Sequence, residues 1–289
     1  MAVITLTTKE ALRKEFIEAY VLEKMNPTLG FLGLFPTVNL NGATSFKMFT
    51  DETSAEDDII SGVMGEPVDL GELSKLPTIE VSPIDSQLGD TKRFGFSLRF
   101  SQDIENQNER IDELIRAYDR ASYAMLRKLN NDYVNTIKNY AKAEPISLND
   151  GSWKTSNKIS EDIIDMQEAF DIVGYDYSLT DMYISKDSWY GAKKYYNALD
   201  EGFTPNDMEG STLHKVNELD SGLIGLDNIT KPITTYYNVN SKYSTIQNSF
   251  INVDRYVEKE YPKETVIEVW AEMGIGVKHP KAMLYQEGV

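Results

Sequence analysis

The residue types that most often carry out catalysis are scarce in this sequence. It contains no cysteine, so thiolate catalysis, disulfides and cysteine-ligated zinc are excluded. Its two histidines, His214 and His279, lie far apart in the sequence, and an isolated histidine is usually a packed or solvated residue. The sequence therefore gives little support to a histidine-based triad or metal site.

Carboxylates are the one chemical group present in excess. With 46 Asp and Glu against 29 Lys and Arg, the formal net charge is −17. Paired carboxylates can serve a glycosidase, but so many acids form pairs without any special arrangement. The common motifs for phosphate binding, zinc proteases, serine hydrolases and calcium binding do not occur. The sequence therefore predicts no enzyme: no catalytic residue, no cofactor and no metal site.

The negative charge also limits the partners of the chain. Affinity for nucleic acid phosphates comes largely from Lys and Arg, so tight DNA binding is disfavoured, whereas enclosing DNA is not. No window approaches the roughly 18 apolar residues of a membrane span. The amino terminus becomes charged too early for a secretory signal. We expect no membrane partner and a protein that is made and used in the cytoplasm.

The stretch that organises the chain runs from Asn106 to Ala143 without glycine or proline. Its apolar residues recur at steps of three and four, which places them on one helical face. They are Ile111, Leu114, Ile115, Tyr118, Ala121, Met125, Leu129, Tyr133, Ile137 and Tyr140. Asn106 with Glu109 provides a start resembling a capping box, and Pro145 closes the far end. The pattern predicts a rod of about 57 Å.

Two segments predict strands of one sheet. Lys92–Ser101 alternates aromatic or aliphatic residues with polar ones, which is typical of a half-buried strand. Thr265–Lys278 shows a period-two pattern that is rich in strand-forming residues. We expect the two strands to pair and the apolar face of the first to pack on the long helix. This arrangement favours an α+β fold over a helical bundle.

The segment 41–90 carries eleven acidic residues and only two basic ones, Lys47 and Lys75. Two short β-like pieces, TSFKMFT and PTIEVSP, are separated by turn-rich sequence, which predicts a long two-stranded hairpin. A solvated acidic hairpin would account for every residue. Because so long a loop usually has a function, the alternative is a projecting arm whose carboxylates contact Arg or Lys of another copy.

The first 40 residues admit two interpretations. Thr8–Met25 predicts a helix that is capped by Thr8 and ended by Pro27. Its apolar stripe consists of Leu12, Phe16, Tyr20 and Met25. It is either an ordinary first helix of the fold or an arm that packs on something else. This segment alone favours the ordinary helix.

The region between the long helix and the last strand predicts a compact α/β unit, preceded by a polar connector at Pro145–Ile159 that marks a boundary. Its predicted elements in chain order are a helix at Ser160–Val173 capped by Ser160, a short strand in LTDMYIS, a helix at Asp187–Leu199, a loop-rich segment at Glu201–Thr230 and a strand at Ile233–Val239.

This order of elements resembles that of the major capsid proteins of tailed double-stranded DNA phages, which have the Hong Kong 97-type fold. The resemblance covers most of the chain. It includes the strand that leads through Ser101 into the long helix, the sequence YIS at 183–185 followed by Trp189, and the closing run GVKHPKA at 276–282. The fixed order of these features carries the resemblance, rather than any single motif.

The resemblance implies an α+β fold with four parts. Residues 1–40 would be the N-terminal arm with its helix, and residues 41–90 the extended β-hairpin called the E-loop. Residues 91–159 and 244–289 would form the P-domain, which contains the long spine helix. Residues 160–243 would form an α/β A-domain.

The resemblance also implies a structural function. Copies of the chain would assemble as hexamers and pentamers into an icosahedral shell that encloses a double-stranded DNA genome without sequence-specific binding. Expected partners are a separate scaffolding protein, a portal and decoration proteins. The expected location is the virion, after assembly in the host cytoplasm. Candidate residues for contacts between subunits are Lys47, Asp57, Asp58, Glu66, Arg93 and Arg99.

Two alternatives remain open at this point. An encapsulin nanocompartment has the same fold and would hold an enzyme cargo instead of a genome. A carbohydrate-active enzyme would act as a monomer through two acids about 5 to 9 Å apart.

Overall fold

The structure is a computed structural model, and it describes residues 11–25, 31, 33–50, 86–101, 111–173, 177–199, 202–240, 242–246, 249–258 and 264–289. The helices in these ranges are α1 (Lys14–Met25), α2 (Ile111–Tyr140), α3 (Ile159–Val173) and α4 (Lys186–Ala198), with a 3-10 turn at Pro280–Ala282. The strands are β1 (Thr37–Asn39), β2 (Ser45–Phe49), β3 (Ser86–Asp90), β4 (Lys92–Ser101), β5 (Asp181–Ile184), β6 (Thr212–Lys215), β7 (Gly222–Leu226), β8 (Ile233–Tyr237), β9 (Ile251–Val257), β10 (Glu264–Val277) and β11 (Met283–Glu287).

The described residues divide into two compact units. The first lies within Met1–Lys47, Leu88–Tyr133 and Thr234–Gly276. The second lies within Met48–Gln87, Val134–Ile233 and Val277–Val289. Both units draw on distant parts of the sequence, so the predicted four-part division at residues 40, 90, 159 and 243 stays a prediction.

A five-stranded sheet forms the core of the first unit. Its order is β1, β8, β10 and β4, and β9 pairs with β10 as well. The antiparallel register of β10 with β4 places Glu264 opposite Ser101 and Met273 opposite Lys92. The predicted pairing of the closing strand with Lys92–Ser101 is therefore confirmed. Because β10 has neighbours on both edges, it is the centre of the sheet.

The predicted alternation along β4 is also confirmed. Phe94, Phe96, Leu98 and Phe100 are half-buried, while the intervening residues are exposed. In β10 the burial continues on both faces, and only Glu264, Glu268, Glu272 and Ile275 are half-buried. Neighbouring strands cover only the edges of β10, so the burial of both its faces comes from residues packed above and below the sheet.

The long helix α2 is confirmed over Ile111–Tyr140, although its predicted start at Asn106 lies outside the described residues. Thirty residues give it a length of about 45 Å. Six residues of the predicted stripe are buried: Leu114, Tyr118, Met125, Leu129, Tyr133 and Ile137. The predicted end at Ala143 is wrong by three residues. The N–H of Ala143 donates to Met283 O at 3.1 Å, so a tertiary β-type contact replaces the next helical bond.

The predicted stripe of the first helix is partly wrong. Leu12 and Met25 are buried as predicted, whereas Phe16 and Tyr20 are only half-buried, and Ile17 and Val21 are buried instead. The same buried face contains Glu18, a charged residue that a hydrophobic pattern assigns to solvent. The described part of α1 packs within the first unit, where Lys14 Nζ lies 3.1 Å from Asp254 Oδ1 of β9. This packing agrees with an ordinary first helix of the fold.

Strands β2 and β3 form a two-stranded sheet of their own. The predicted strand in TSFKMFT is confirmed as β2, while PTIEVSP lies outside the described residues. The segment 41–90 therefore begins and ends in a paired ribbon. The rest of the predicted hairpin stays a prediction.

The second unit contains a four-stranded sheet in the order β11, β7, β5, β6, in which only β5 and β6 are parallel. The prediction of a loop-rich Glu201–Thr230 is wrong, because β6 and β7 lie within it. Strand β7 contains two glycines, and all five of its residues are buried. A Cβ on Gly225 would lie 2.8 Å from Leu179 Cδ1, so the glycine serves close packing.

The predicted polar connector Pro145–Ile159 is an ordered part of the second core rather than a linker. Trp153 within it is fully buried, and its Nε1 donates to Asp162 Oδ2 at 2.8 Å. The prediction that Ser160 caps this helix is wrong, because α3 begins at Ile159 and Ser160 lies inside it. Its hydroxyl instead donates to Glu209 Oε1 at 2.6 Å.

Asp162 holds the connector in place and supports a testable prediction. Its buried carboxylate accepts three hydrogen bonds, from Trp153 Nε1 and from the backbone and side-chain nitrogens of Asn149. In Asp162→Asn a donating NH2 group replaces one acceptor, so at least one N–H loses its partner. We expect the free energy of unfolding to fall by about 2 kcal/mol in urea titrations. Asp171→Asn, at an exposed position on the same helix, should change it by less than about 0.5 kcal/mol.

Candidate functional site

The polar face of the first sheet carries the two arginines predicted to contact neighbouring subunits. Opposite residues of paired strands point to the same face of a sheet. Arg93 lies opposite Glu272 of β10, and Arg99 lies opposite Val266. On the other side of β10, Asp254 of β9 lies opposite Glu268. Both arginines therefore lie on a face that also carries carboxylates of their own chain.

Arg93 contacts an aromatic ring and a carboxylate. Its guanidinium carbon lies 4.1 Å from the centroid of the Trp270 ring, a cation–π contact, and Nη2 lies 3.9 Å from Glu268 Oε2. Gly95 lies opposite Trp270, and a Cβ there would come within 2.1 Å of Val269 O. This close approach of β4 to β10 therefore requires glycine. The Arg93 side chain remains 57% exposed.

Arg99 bridges a carboxylate of β10 and the carboxylate of Glu258, the residue that follows β9. Its Nη1 lies 3.2 Å from Glu258 Oε1 and 3.7 Å from Glu264 Oε2, and its side chain is 57% exposed. Surface ion pairs of this kind contribute little to stability. In this cluster of Arg99, Glu258 and Glu264, the arginine keeps exposed guanidinium N–H groups, which bind carboxylates with defined geometry. Both arginines can therefore accept a further carboxylate from another chain.

A polar cleft of about 430 Å3 adjoins Arg93. Asparagines line much of it, and they bind the backbone of the cleft's own walls. Asn238 Oδ1 accepts the Gly42 N–H at 2.8 Å, and Asn252 Oδ1 accepts the Asn240 N–H at 3.0 Å. These hydrogen bonds order the loops beside the sheet.

The six predicted contact residues meet different outcomes. Arg93 and Arg99 share one face of the sheet, and Lys47 lies exposed in β2. Asp57, Asp58 and Glu66 lie outside the described residues. The proposed pairing of these acids with the arginines stays a prediction.

Sequence reasoning missed the residues that surround the arginines: Trp270, Glu258, Glu264 and Glu268. The signal was present in part, because Glu264, Glu268 and Trp270 recur at even steps along the closing strand. Pairing that strand with Lys92–Ser101 in a definite register would have placed Glu264, Glu268 and Trp270 on the sheet face that carries Arg93 and Arg99, called here the arginine face. Glu258 follows β9, which the sequence analysis did not identify.

An acid–base pair lies in the second unit. His214 Nε2 and Asp181 Oδ1 are 2.7 Å apart, and the imidazole stacks on the Tyr183 ring with centroids 4.7 Å apart. The register of β5 with β6 places Tyr183 directly opposite His214, so the contact is a cross-strand pair. Burial, followed by the charge of Asp181, raises the pKa of Tyr183. This hydroxyl is therefore a poor proton donor, and the group is suited to holding β5 against β6.

The same pair predicts an acid-sensitive contribution to stability. Burial by itself raises the pKa of the Asp181 carboxyl, but hydrogen bonds from His214 and Thr180 outweigh burial and lower it. A lowered pKa means that the contribution is present above the unfolded value near pH 4 and is lost as the pH falls below it. We expect Asp181→Asn to be less stable than the parent at pH 6, with a gap that closes towards pH 3. Urea titrations across this range check it, and a gap that is independent of pH would contradict it.

No group of three or more His, Asp or Glu in the described part of the chain is arranged to hold a metal ion. None of the described helices is long and apolar enough to cross a membrane.

The phage capsid protein family matches residues 85–286, well over half of the chain. The chain belongs to this family. The matched region begins just before β3 and ends in β11, so it contains both arginine clusters and the His214 pair. No curated protein matches the capsid protein.

Solved structures show the fold of the capsid protein. The capsid of cyanophage P-SCSP1u has a TM-score of 0.62 at 9% identity, covering 89% of this chain and 86% of that one. The virus-like particle from Pyrococcus furiosus has a TM-score of 0.60 at 12% identity, covering 94% and 98%. The holo-SrpI encapsulin complex from Synechococcus elongatus PCC 7942 has a TM-score of 0.60 at 10% identity, covering 90% and 87%. The capsid protein has the Hong Kong 97-type α+β fold.

The family assigns a structural role to the capsid protein. It is a phage capsid protein, and therefore a structural component of a capsid shell. This assignment favours the shell hypothesis over the carbohydrate-active enzyme. The similarity to an encapsulin leaves the contents of the shell to be decided.

Proposed function

We propose that the protein is the major capsid protein of a tailed phage and that its copies form the hexamers and pentamers of an icosahedral shell around a double-stranded DNA genome. The observation that supports this best is the family match over residues 85–286. We include in the proposal a scaffolding protein, a portal and decoration proteins as partners, and assembly in the host cytoplasm.

The charge of the protein fits a container for DNA better than a DNA-binding protein. Sequence-independent affinity for DNA comes from lysines and arginines that displace counterions. At a net charge of −17 the chain offers little such affinity, and its exposed arginines 93 and 99 contact carboxylates of their own chain. A lumen of this kind encloses DNA without immobilising it.

The four-part division remains part of the proposal. Residues 1–40 would be the arm, 41–90 the E-loop, 91–159 with 244–289 the P-domain, and 160–243 the A-domain. The acidic segment 41–90 would reach a neighbouring copy and place Asp57, Asp58 or Glu66 near the arginine face. The half-exposed state of Arg93 and Arg99 supports this role, because a guanidinium in a charge cluster can bind more than one carboxylate.

The contents of the particle decide between a phage capsid and an encapsulin. We expect particles purified from the natural source to contain double-stranded DNA that survives nuclease treatment and is released as molecules of uniform length. Nuclease digestion, followed by gel electrophoresis and mass spectrometry of all internal proteins, measures both outcomes. An enzyme cargo without protected DNA would contradict the proposal and establish the encapsulin alternative, which the similar fold of the SrpI complex favours.

A further inference from the structure

An open groove lies along α3 in the second unit. Its volume is about 700 Å3, and its apolar lining residues, called here its apolar floor, are Ile146, Ala169, Ile172 and Val173. Ile172 leaves 76% of its surface exposed, although it sits on a well-formed helix. We call this feature the α3 groove. Exposed apolar surface of this shape commonly marks a binding site.

The charged residues that line the α3 groove, called here its rim, carry one more negative than positive charge. Glu144, Asp165 and Glu168 contribute three carboxylates, and Lys142 and Lys281 contribute two ammonium groups. Glu144 and Glu168 are exposed. The groove therefore suits an apolar side chain that carries a cationic neighbour.

A rigid turn elsewhere in the second unit presents such a pair. Residues 227–231, called here the Ile229 turn, are held by the buried Asp227. Its Oδ1 accepts the N–H groups of Ile229 and Thr230 at 2.9 and 3.3 Å, and Oδ2 accepts the Thr230 hydroxyl. The N–H of Asn228 donates to Thr180 Oγ1 at 2.8 Å. The turn is thus fixed to the end of the second sheet.

The Ile229 turn presents an apolar tip to solvent. Ile229 is 78% exposed, and Lys231, also exposed, lies two residues further along. Lys231 Nζ donates to Asn228 Oδ1 at 2.7 Å, which keeps the ammonium group at the turn. A preorganised loop binds without the entropic cost of becoming ordered. An isoleucine fixed in water by this many hydrogen bonds therefore suits insertion into a partner.

We infer that the Ile229 turn of one copy inserts into the α3 groove of a neighbouring copy. Ile229 occupies the apolar floor beside Ile172, and Lys231 meets the carboxylate of Glu168 at the rim. The inference rests on the proposed shell, because it names one surface through which the copies meet.

Charge complementarity identifies a second copy as the occupant. At a net charge of −17, two copies repel each other unless basic and acidic surfaces come into register. The Ile229 turn brings a cation and an apolar side chain, and the α3 groove offers carboxylates around an apolar floor. Every copy in a shell carries both surfaces, so each contact can be repeated throughout the assembly.

Because the sequence contains no cysteine, a maleimide crosslinker reacts only with cysteines that are introduced by mutation. Ile172→Cys and Ile229→Cys chains are co-assembled, particles are purified, and a short bis-maleimide is added before denaturing electrophoresis. We expect covalent dimers in the mixed particles well above those in particles of either variant alone. Ile164→Cys is the matched control, because Ile164 is a 51% exposed isoleucine on the same helix that does not line the groove. Its mixture with Ile229→Cys should give only the background level.

A charge exchange tests the same contact independently. Lys231→Glu should lower the yield of shells roughly tenfold by placing a carboxylate against that of Glu168 at the rim. Glu168→Lys should lower it similarly by placing two cations together. The double variant should restore the yield to within about twofold of the parent, since it reverses the pair.

The outcomes separate this inference from the proposed function. Shells that form but give no crosslink above the Ile164 control, with no recovery in the double variant, would overturn the contact while leaving the shell intact. A parent protein that forms no shell under any assembly condition would overturn both. Crosslinks to a scaffolding or decoration protein in place of dimers would also contradict the inference and assign the groove to that partner.

Discussion

Glu18→Ala should lower the free energy of unfolding of the subunit by about 3 kcal/mol. The Glu18 side chain is fully buried in the first unit, and its carboxylate accepts four hydrogen bonds. Its donors are the hydroxyl of Ser244, the hydroxyl and N–H of Thr245 and the N–H of Ile246, at 2.5 to 3.3 Å. Alanine leaves all four donors without this acceptor.

Two further variants of α1 make the test specific. Glu18→Gln keeps one oxygen but brings a donating NH2 group into a site lined by donors. We therefore expect its free energy of unfolding to lie between that of the parent and that of Glu18→Ala. Glu23→Ala removes an exposed carboxylate from the same helix and should change stability by less than about 0.5 kcal/mol. Urea titrations of the unassembled subunit measure all three. A Glu18→Ala protein as stable as Glu23→Ala would show that Glu18 does not anchor α1.

Gly191→Ala should also destabilise the subunit, by about 3 kcal/mol, although the same substitution would stabilise an isolated helix. Alanine is about 1 kcal/mol more favourable than glycine inside a helix. In α4, however, a Cβ at this position would lie 1.9 Å from Trp153 O and 2.8 Å from Lys154 Cα. Both are backbone atoms, so the helix and the 152–155 segment must separate.

Denaturant unfolding again measures the effect. Tryptophan fluorescence monitors the transition, because Trp153 lies at the contact. Asn197→Ala places alanine at an exposed position of the same helix and should leave stability within about 0.5 kcal/mol of the parent. A Gly191→Ala protein that is more stable than the parent would mean that α4 and the Trp153 segment do not approach this closely.

The elements that could be predicted from the sequence are those whose signal is local. The alternation in β4 and the three- and four-residue spacing in α2 arise from one face being buried, and each is read within a single segment. The pairing of β4 with β10 was also within reach, because both segments carry a strong strand pattern. Composition is also read directly from the sequence: the negative net charge argued against tight DNA binding, and the absence of cysteine excluded thiolate catalysis and cysteine-ligated zinc.

The features that escaped prediction depend on distant contacts. Glu18 is buried because residues 244–246 supply its donors, and no local pattern indicates this. Trp153 lies in a polar segment, and its burial requires Asp162 as a partner. The glycines of β7 resemble loop residues until Leu179 is placed beside Gly225. In the arginine face, the sequence identified Arg93 and Arg99 but not the carboxylates that surround them.

The central claim is that this chain builds closed shells from copies of itself. Negative-stain electron microscopy of the purified protein, expressed alone and together with its neighbouring gene products, tests it most directly. We expect closed particles of uniform diameter in at least one of these preparations. A protein that stays monomeric in all of them, at concentrations and salt conditions that suppress the repulsion of its −17 net charge, would contradict the account.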